Sequence, residues 1–369
     1  MRKEVKMKKS KHSSYLKVIA FVLIAIVIIS TFGFVSGGWQ PILDPEGGNE
    51  ENNDTPLDTP GTDTDDTPVA SDPKYYHFIT GKETDEAGER RMPLVFVTDP
   101  SATLYGISGA LLTIELPIED EGSRMLVFSD ELQSLGKIGQ IEPTRGYISN
   151  LVGYFGGILI SHGSDDMVEY PSHDVSQHHA DLSVMSGFHY TEGALAYTNG
   201  DLIRAALRQL ESTLTVDPSQ KIPYCFADPE EALAPLPKSA SSVCLPISRA
   251  SATELVFNPE SCRYSYSKGG ITKTDALNAS AIEYDNVFVL LTDSVTYETA
   301  DGTELIPKTD GSGTGYYLTA GGYTEIKWVS EDGELTFYDA DDNKLRINRG
   351  SSYISFVKSS RADLITFTE

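Results

Sequence analysis

An α/β sheet domain followed by a small all-β domain, behind one N-terminal transmembrane helix, is the architecture that this 369-residue chain predicts. Three observations carry that expectation. An uncharged apolar run follows a basic leader. Strand-like and helix-like segments alternate between residues 75 and 216, and after residue 251 nearly every segment is a short alternating strand bounded by turn residues. With 40% hydrophobic and 9% aromatic residues the chain is long enough for two ordinary domains, and disorder throughout is excluded.

The first 17 residues hold seven basic side chains against one acid, Glu4, and read as a cytoplasmic tail. Val18 to Val35 is uncharged and mostly apolar, long enough as a helix to cross a hydrocarbon core of roughly 30 Å at about 1.5 Å per residue. Residues 18–39 are therefore expected to form a signal anchor. The run also resembles a secretory signal peptide with Val35-Ser36-Gly37 as its cleavage site, but its length and its β-branched core from Ile26 to Ile29 favour the uncleaved form. Cationic residues stay on the cytoplasmic side, which puts everything after Trp39 outside. The cytoplasmic membrane is thus one expected partner, and the expected location is a single-pass protein with extracytoplasmic domains.

Residues 40–74 carry six prolines and ten acids with no aromatic residue, too little apolar surface to offset the entropy of ordering, and read as a disordered acidic linker. The formal charge is −25; the leader contributes +6, so the remainder carries −31. Such a surface argues against nucleic acid or anionic lipid as a ligand, since both need clustered Lys and Arg.

Within 75–216, strands are expected at Leu94–Val97, Leu111–Leu116, Met125–Phe128 and Gly157–Ser161, with helices at Thr144–Tyr154 and Gly200–Leu210. Asn199 or Asp201 would cap the second helix, whose apolar face is Leu202, Ile203, Ala206, Leu207 and Leu210. Six prolines between Asp217 and Pro246 place the domain junction at 217–250. The β domain, 251–361, is expected to hold strands at Glu254–Phe257, Val287–Leu291, Tyr316–Thr319, Thr324–Val329, Leu335–Tyr338 and Tyr353–Val357, with a hairpin turn at Glu331-Asp332-Gly333 and another turn from Asp339 to Asn343. Residues 362–369 read as a tail.

Motifs that carry chemistry are scarce. Cys225 and Cys244 flank a proline-rich loop that a disulfide would fasten, or all three cysteines, with Cys262, stay free; their spacing fits no zinc or redox signature. His162, His173, Asp174, His178, His179 and Asp181 form the one dense group of metal-ligand types, but without the i, i+4 helical histidine pair, and they read as a polar surface loop. Asp339 to Asn343 opens like a calcium loop but has Lys344 at position six and Gly350 at position twelve. Gly311 to Gly315 reads as a hairpin loop rather than a phosphate cradle, because no helix follows it. No Gly-x-Ser-x-Gly elbow is present, and Ser134-x-x-Lys137 lacks the partner motifs of a serine acyl-enzyme. No metal site and no cofactor are expected.

The order of segments resembles the YerB-like bacterial lipoproteins, a two-part domain of unknown function numbered 3048. The resemblance covers roughly residues 81–357. It is carried by Leu94-Val-Phe-Val-Thr-Asp99, Leu112-Thr-Ile-Glu115, Gly122-Ser-Arg124, Lys137-Ile-Gly-Gln-Ile-Glu-Pro-Thr-Arg145, Ile158 to Ser164 and Ala196-Tyr-Thr-Asn199 in the first half. In the second half it rests on Gly311–Gly313, Gly322–Trp328, Phe337–Asp339 and Gly350–Ile354. Glu142 stands where the family has an arginine, Ala194-Leu195 where it has His-Asn, and no lipobox cysteine is present. If the family's polar residues converge on a site, Asp99, Glu115, Arg124 and Arg145 are what this chain retains of it.

The function expected from all this is a non-enzymatic binding or adaptor protein of the cell envelope, whose partner is a cell-wall component or another envelope protein. The alternative is a hydrolase or transferase acting on an envelope polymer, with Glu115 or Asp99 as general acid/base and a metal-assisted variant through the His173–Asp181 stretch.

Overall fold

Period-two alternation is what positions the chain. In the strand β1 (Leu94–Thr98), Leu94 and Phe96 enter one apolar core while Val95 and Val97 enter another. The same division holds in β2 (Leu112–Ile118) and β3 (Gly122–Ser129), where Met125 and Val127 face the first core and Leu116, Leu126 and Phe128 the second. A strand buried on both faces belongs at the centre of a sheet, and these three are central. The computed structural model describes residues 74–84, 92–118, 122–164, 178–210, 220–229, 233, 235–299, 302–331 and 334–369. The expected tail, anchor and nearly all of the linker lie outside the described residues, among which no helix is long and apolar enough to cross a membrane.

The remaining elements are β4 (Ile138–Ile141), α1 (Gly146–Tyr154), β5 (Ile158–Ser161), β6 (His179–Asp181), β7 (Tyr190–Glu192), β8 (Leu195–Thr198), α2 (Gly200–Gln209), β9 (Lys238–Ser239), β10 (Ser242–Leu245), β11 (Thr253–Asn258), β12 (Arg263–Lys268), β13 (Asn286–Thr292), β14 (Gly311–Thr319), β15 (Gly322–Glu331), β16 (Glu334–Tyr338), β17 (Ser352–Lys358) and β18 (Thr366–Thr368), with minor two-residue strands and a hairpin over 294–307 between them. An eleven-stranded mixed sheet runs β9-β15-β14-β13-β17-β2-β3-β1-β5-β6, with β16 also on β15. A six-stranded sheet, including β12-β11-β10-β18, contributes Val243, Leu245, Leu255, Tyr264 and Tyr266 to the first core, with Ile203, Ala206 and Leu207 of α2. α1 lies in the second core through Tyr147, Ile148, Leu151 and Val152. β4, β8 and β7 make a separate three-stranded sheet.

The decisive strand is β17. It pairs in parallel with β13 on one side, Asn286 opposite Ser352, and in parallel with β2 on the other, Leu112 opposite Ser352 and Glu115 opposite Ser355. One sheet therefore crosses the expected junction at 217–250, and the α/β and all-β expectation gives way to a largely β fold with two α-helices among the described residues. The proline-rich segment holds strands of both sheets, since β9 joins β15 and β10 joins β11. Nor is the C-terminus a loose tail: residues Ser359–Leu364 form a 3-10 turn and β18 pairs with β10.

The glycine run Gly311–Gly315 lies inside β14 rather than in a hairpin loop. A Cβ at Gly315 would stand 2.1 Å from the Val289 carbonyl oxygen, so glycine is there for the close approach of a neighbouring strand. The Asp339 turn forms as expected, its carboxylate accepting from the Asp341 and Asn343 amides at 2.9 Å. All three cysteines are free.

Candidate functional site

Glu115 sits on the face of β2 that looks at the six-stranded sheet, and its neighbours come from four other strands. Its Oε1 accepts from Ser123 Oγ at 2.6 Å and from Lys268 Nζ at 2.6 Å, and its Oε2 from Tyr353 OH at 2.7 Å and Tyr266 OH at 2.9 Å. Thr253 Oγ1 reaches both oxygens, at 3.2 and 3.1 Å. Lys268 Nζ also donates to Ser123 Oγ and Thr253 Oγ1, each at 3.0 Å, so its three donors are all committed. Glu115 is 0% and Lys268 3% exposed. Burial alone would push the Glu115 carboxyl up; Lys268 and the hydroxyl donors outweigh it and hold the carboxyl below its ordinary value. Burial and the adjacent carboxylate push the Tyr266 and Tyr353 phenols well up.

Ser123 and Lys268 have the spacing of a nucleophile and its base, but the arrangement cannot work as one. The serine proton goes to Glu115, the lysine has no lone pair to offer, and neither side chain reaches solvent. The cluster joins the two halves of the chain through a closed polar core, fully satisfied as buried polar groups must be.

The other expected residues do not gather around Glu115. Arg124 lies opposite Leu116 in the β2–β3 pair, on the other face of the sheet, and forms an ion pair with Glu142 at 2.8 Å. Glu142, which stands where the resemblance leads one to expect an arginine, is thus the partner of Arg124, and the Gln140 side-chain amide also donates to it. Arg145 is buried at the N-cap of α1, its carbonyl accepting from the Ile148 and Ser149 amides. Asp99 accepts from the Ser101 amide at 2.8 Å in its own turn. The four residues build four separate pieces of structure.

The histidine-rich stretch is only partly described, because His173 and Asp174 lie outside the described residues. Among the described residues no group of three or more ligating side chains is placed to hold a metal. Parallel pairing of β5 with β6 sets Ser161 Oγ 2.8 Å from His179 Nε2, and burial pushes the imidazole down against the opposing pull of Asp181. Ser161 is fully buried and Asp181 is bound by Gly163 and Ser183, so this trio also packs rather than reacts.

Among the described residues, a cleft of about 550 Å³ lies open between the loop over 106–109, the segment 129–135 and the loop over 275–283. Its floor is set by Asp275, a buried carboxylate that accepts from the amides of Gly106, Ile107 and Ser108 at 3.1, 2.8 and 2.9 Å and from Ser108 Oγ at 3.0 Å. Burial would raise the Asp275 carboxyl; these donors and the Leu277 amide hold it below its ordinary value. Asn278 donates to Ser108 Oγ at 3.1 Å, and Arg263 is held by the Glu283 carbonyl at 2.6 Å and Ser351 Oγ at 2.9 Å. Sequence reading missed this cleft, as well as Lys268. The signal for Lys268 was present: it follows Tyr264 and Tyr266 at the inward positions of an alternating strand, where a lysine has to find an anion.

By fold the chain is a β-rich protein built on one mixed sheet with a second sheet across its face, carrying a closed polar core and an open polar cleft. The C-terminal domain of DUF3048, described as a protein of unknown function, matches residues 243–354. The crystal structure of the YerB protein from Bacillus subtilis has the same fold, with a TM-score of 0.66 and 18% sequence identity, over 80% of this chain and 100% of that one. No curated protein matches. Residues 243–354 thus match the C-terminal domain of the DUF3048 family, on a chain whose fold is that of YerB.

Proposed function

We propose that this chain is a non-enzymatic binding protein of the bacterial cell envelope, and that its ligand, a cell-wall component or another envelope protein, is received in the cleft around Asp275. In this reading the N-terminal segment holds the chain at the cytoplasmic membrane with the folded part outside. The observation that carries the proposal is the contrast between two polar sites. The Glu115 cluster spends its charges on itself behind a closed wall, whereas the cleft is open, polar and assembled from both halves of the chain. A hydrolase acting through Glu115 would need that carboxylate to reach a polymer, and it is 0% exposed.

Two measurements test the parts separately. Cys225 and Cys262 are exposed, so a membrane-impermeant maleimide added to intact cells should label the full chain, and label it no less than after lysis. Labelling only after lysis would overturn the location. For the ligand, solubilised wall fragments should be retained by the immobilised full chain and lost from an Asn278→Ala variant whose melt is unchanged. Equal retention would remove the cleft from the proposal.

A further inference from the structure

Building on that reading, we infer that the cleft selects a peptide-like ligand bearing a primary ammonium on an aliphatic arm, with Glu131 as its counter-charge. Three acids line the cleft, Glu131, Asp275 and Glu283, against one base, Arg263. Two of the acids are already spent. Asp275 is filled by backbone amides, and Glu283 accepts from Ser265 Oγ at 3.1 Å and Ser261 Oγ at 3.3 Å beside the Arg263 guanidinium. The Glu131 carboxylate has no hydrogen bond or ion pair among the described residues, while its backbone amide is fixed on Ser129 Oγ at 3.1 Å.

Two further features define the ligand beyond its charge. Opposite Glu131 stands Gly109, where a Cβ would come within 3.2 Å of Oε2, so the absence of a side chain there leaves room at the carboxylate. Leu135 and the exposed Leu277 supply apolar wall on which methylene groups can lie. The Arg263 guanidinium, partly exposed where it lines the cleft, offers a carbonyl or carboxylate of the same ligand a partner. An ammonium, a short aliphatic stem and a neighbouring carbonyl together describe a basic residue within a peptide.

The test is calorimetric titration of the full chain in detergent with the dipeptide N-acetyl-lysyl-alanine and with its norleucine analogue, which keeps most of the aliphatic arm and removes the charge. The charged probe should bind at least about tenfold more tightly than the neutral one, a preference that weakens with salt as a partly exposed ion pair must. Glu131→Gln should abolish the preference while leaving the melt unchanged. Equal binding of the two probes, weakened equally by Asn278→Ala, would overturn the ammonium selection and leave the cleft as a binding site. Failure of the charged probe to bind at millimolar concentration would overturn the selection as well, and the wall-fragment experiment would then decide the cleft on its own.

Discussion

At the scale of single residues the most consequential pair is Glu115 with Lys268. Each is buried, and each is satisfied only because the other is present. Glu115→Gln leaves an ammonium buried without its anion, and Lys268→Met leaves a carboxylate buried without its cation. Either single change should cost about 3–5 kcal/mol in urea unfolding, and the double variant should recover much of that, since it is the unpaired charge that is expensive. Additive losses in the double-mutant cycle would show that packing, not pairing, holds the site.

The pair also sets a pH dependence. A carboxyl lowered by folding stabilises the native state above its unfolded value, near 4.5 for Glu115, and that contribution disappears as the pH falls through the lower folded value. Asp275 and Asp181 are lowered too and act in the same direction. Stability should therefore be flat in this respect from neutral pH down to the unfolded carboxylate range and then fall. The Glu115→Gln/Lys268→Met variant should show a shallower acid limb; an identical limb would remove Glu115 from the acid transition.

At the scale of elements, α2 shows how a short segment is fixed at both its cap and its first turn. Asn199 Oδ1 accepts from the Leu202 amide at 3.0 Å, so of the two expected caps Asn199 is the one used. Gly200 follows because a Cβ there would lie 2.2 Å from the Gln133 carbonyl oxygen, to which Arg204 also donates. Asn199→Ala should cost about 1 kcal/mol. Gly200→Ala should cost more, about 1–3 kcal/mol, although alanine is the better helix former, because the 132–134 turn has to move. A stabilised Gly200→Ala protein in thermal melts would mean that this contact yields without strain.

At the scale of the whole molecule, β17 makes the two halves of the chain interdependent. Its backbone bonds to β13 on one edge and to β2 on the other, so removing either half leaves a long central strand edge unpaired. Fragments 75–216 and 251–361, expressed separately, should show no cooperative melt of their own, whereas residues 75–369 should melt in one transition. A cooperative transition from either fragment alone would restore the two-domain description.

Local structure was legible because it depends on near neighbours. The alternation that places Leu94, Phe96, Met125 and Val127 on one face and Val95, Val97, Leu126 and Phe128 on the other is written in the chain, and twelve expected strands and helices lie where their patterns put them. The likeness to the DUF3048 family was legible as well, and its C-terminal domain matches residues 243–354. The partners were not. Glu115 was recognised as a candidate, but Lys268 stands 153 positions away, and only a parallel β17 between β13 and β2 brings the two halves together. Arg124 and Glu115 are nine residues apart and still face opposite sides of the sheet, because strand side chains alternate. The cleft arises where loops from both halves meet over Asp275. Short-range patterning thus determined which segments form and which faces are apolar, while the pairing order of the strands, set by burial of those faces across the whole chain, decided which charges meet, which are sealed and which are left open to a ligand.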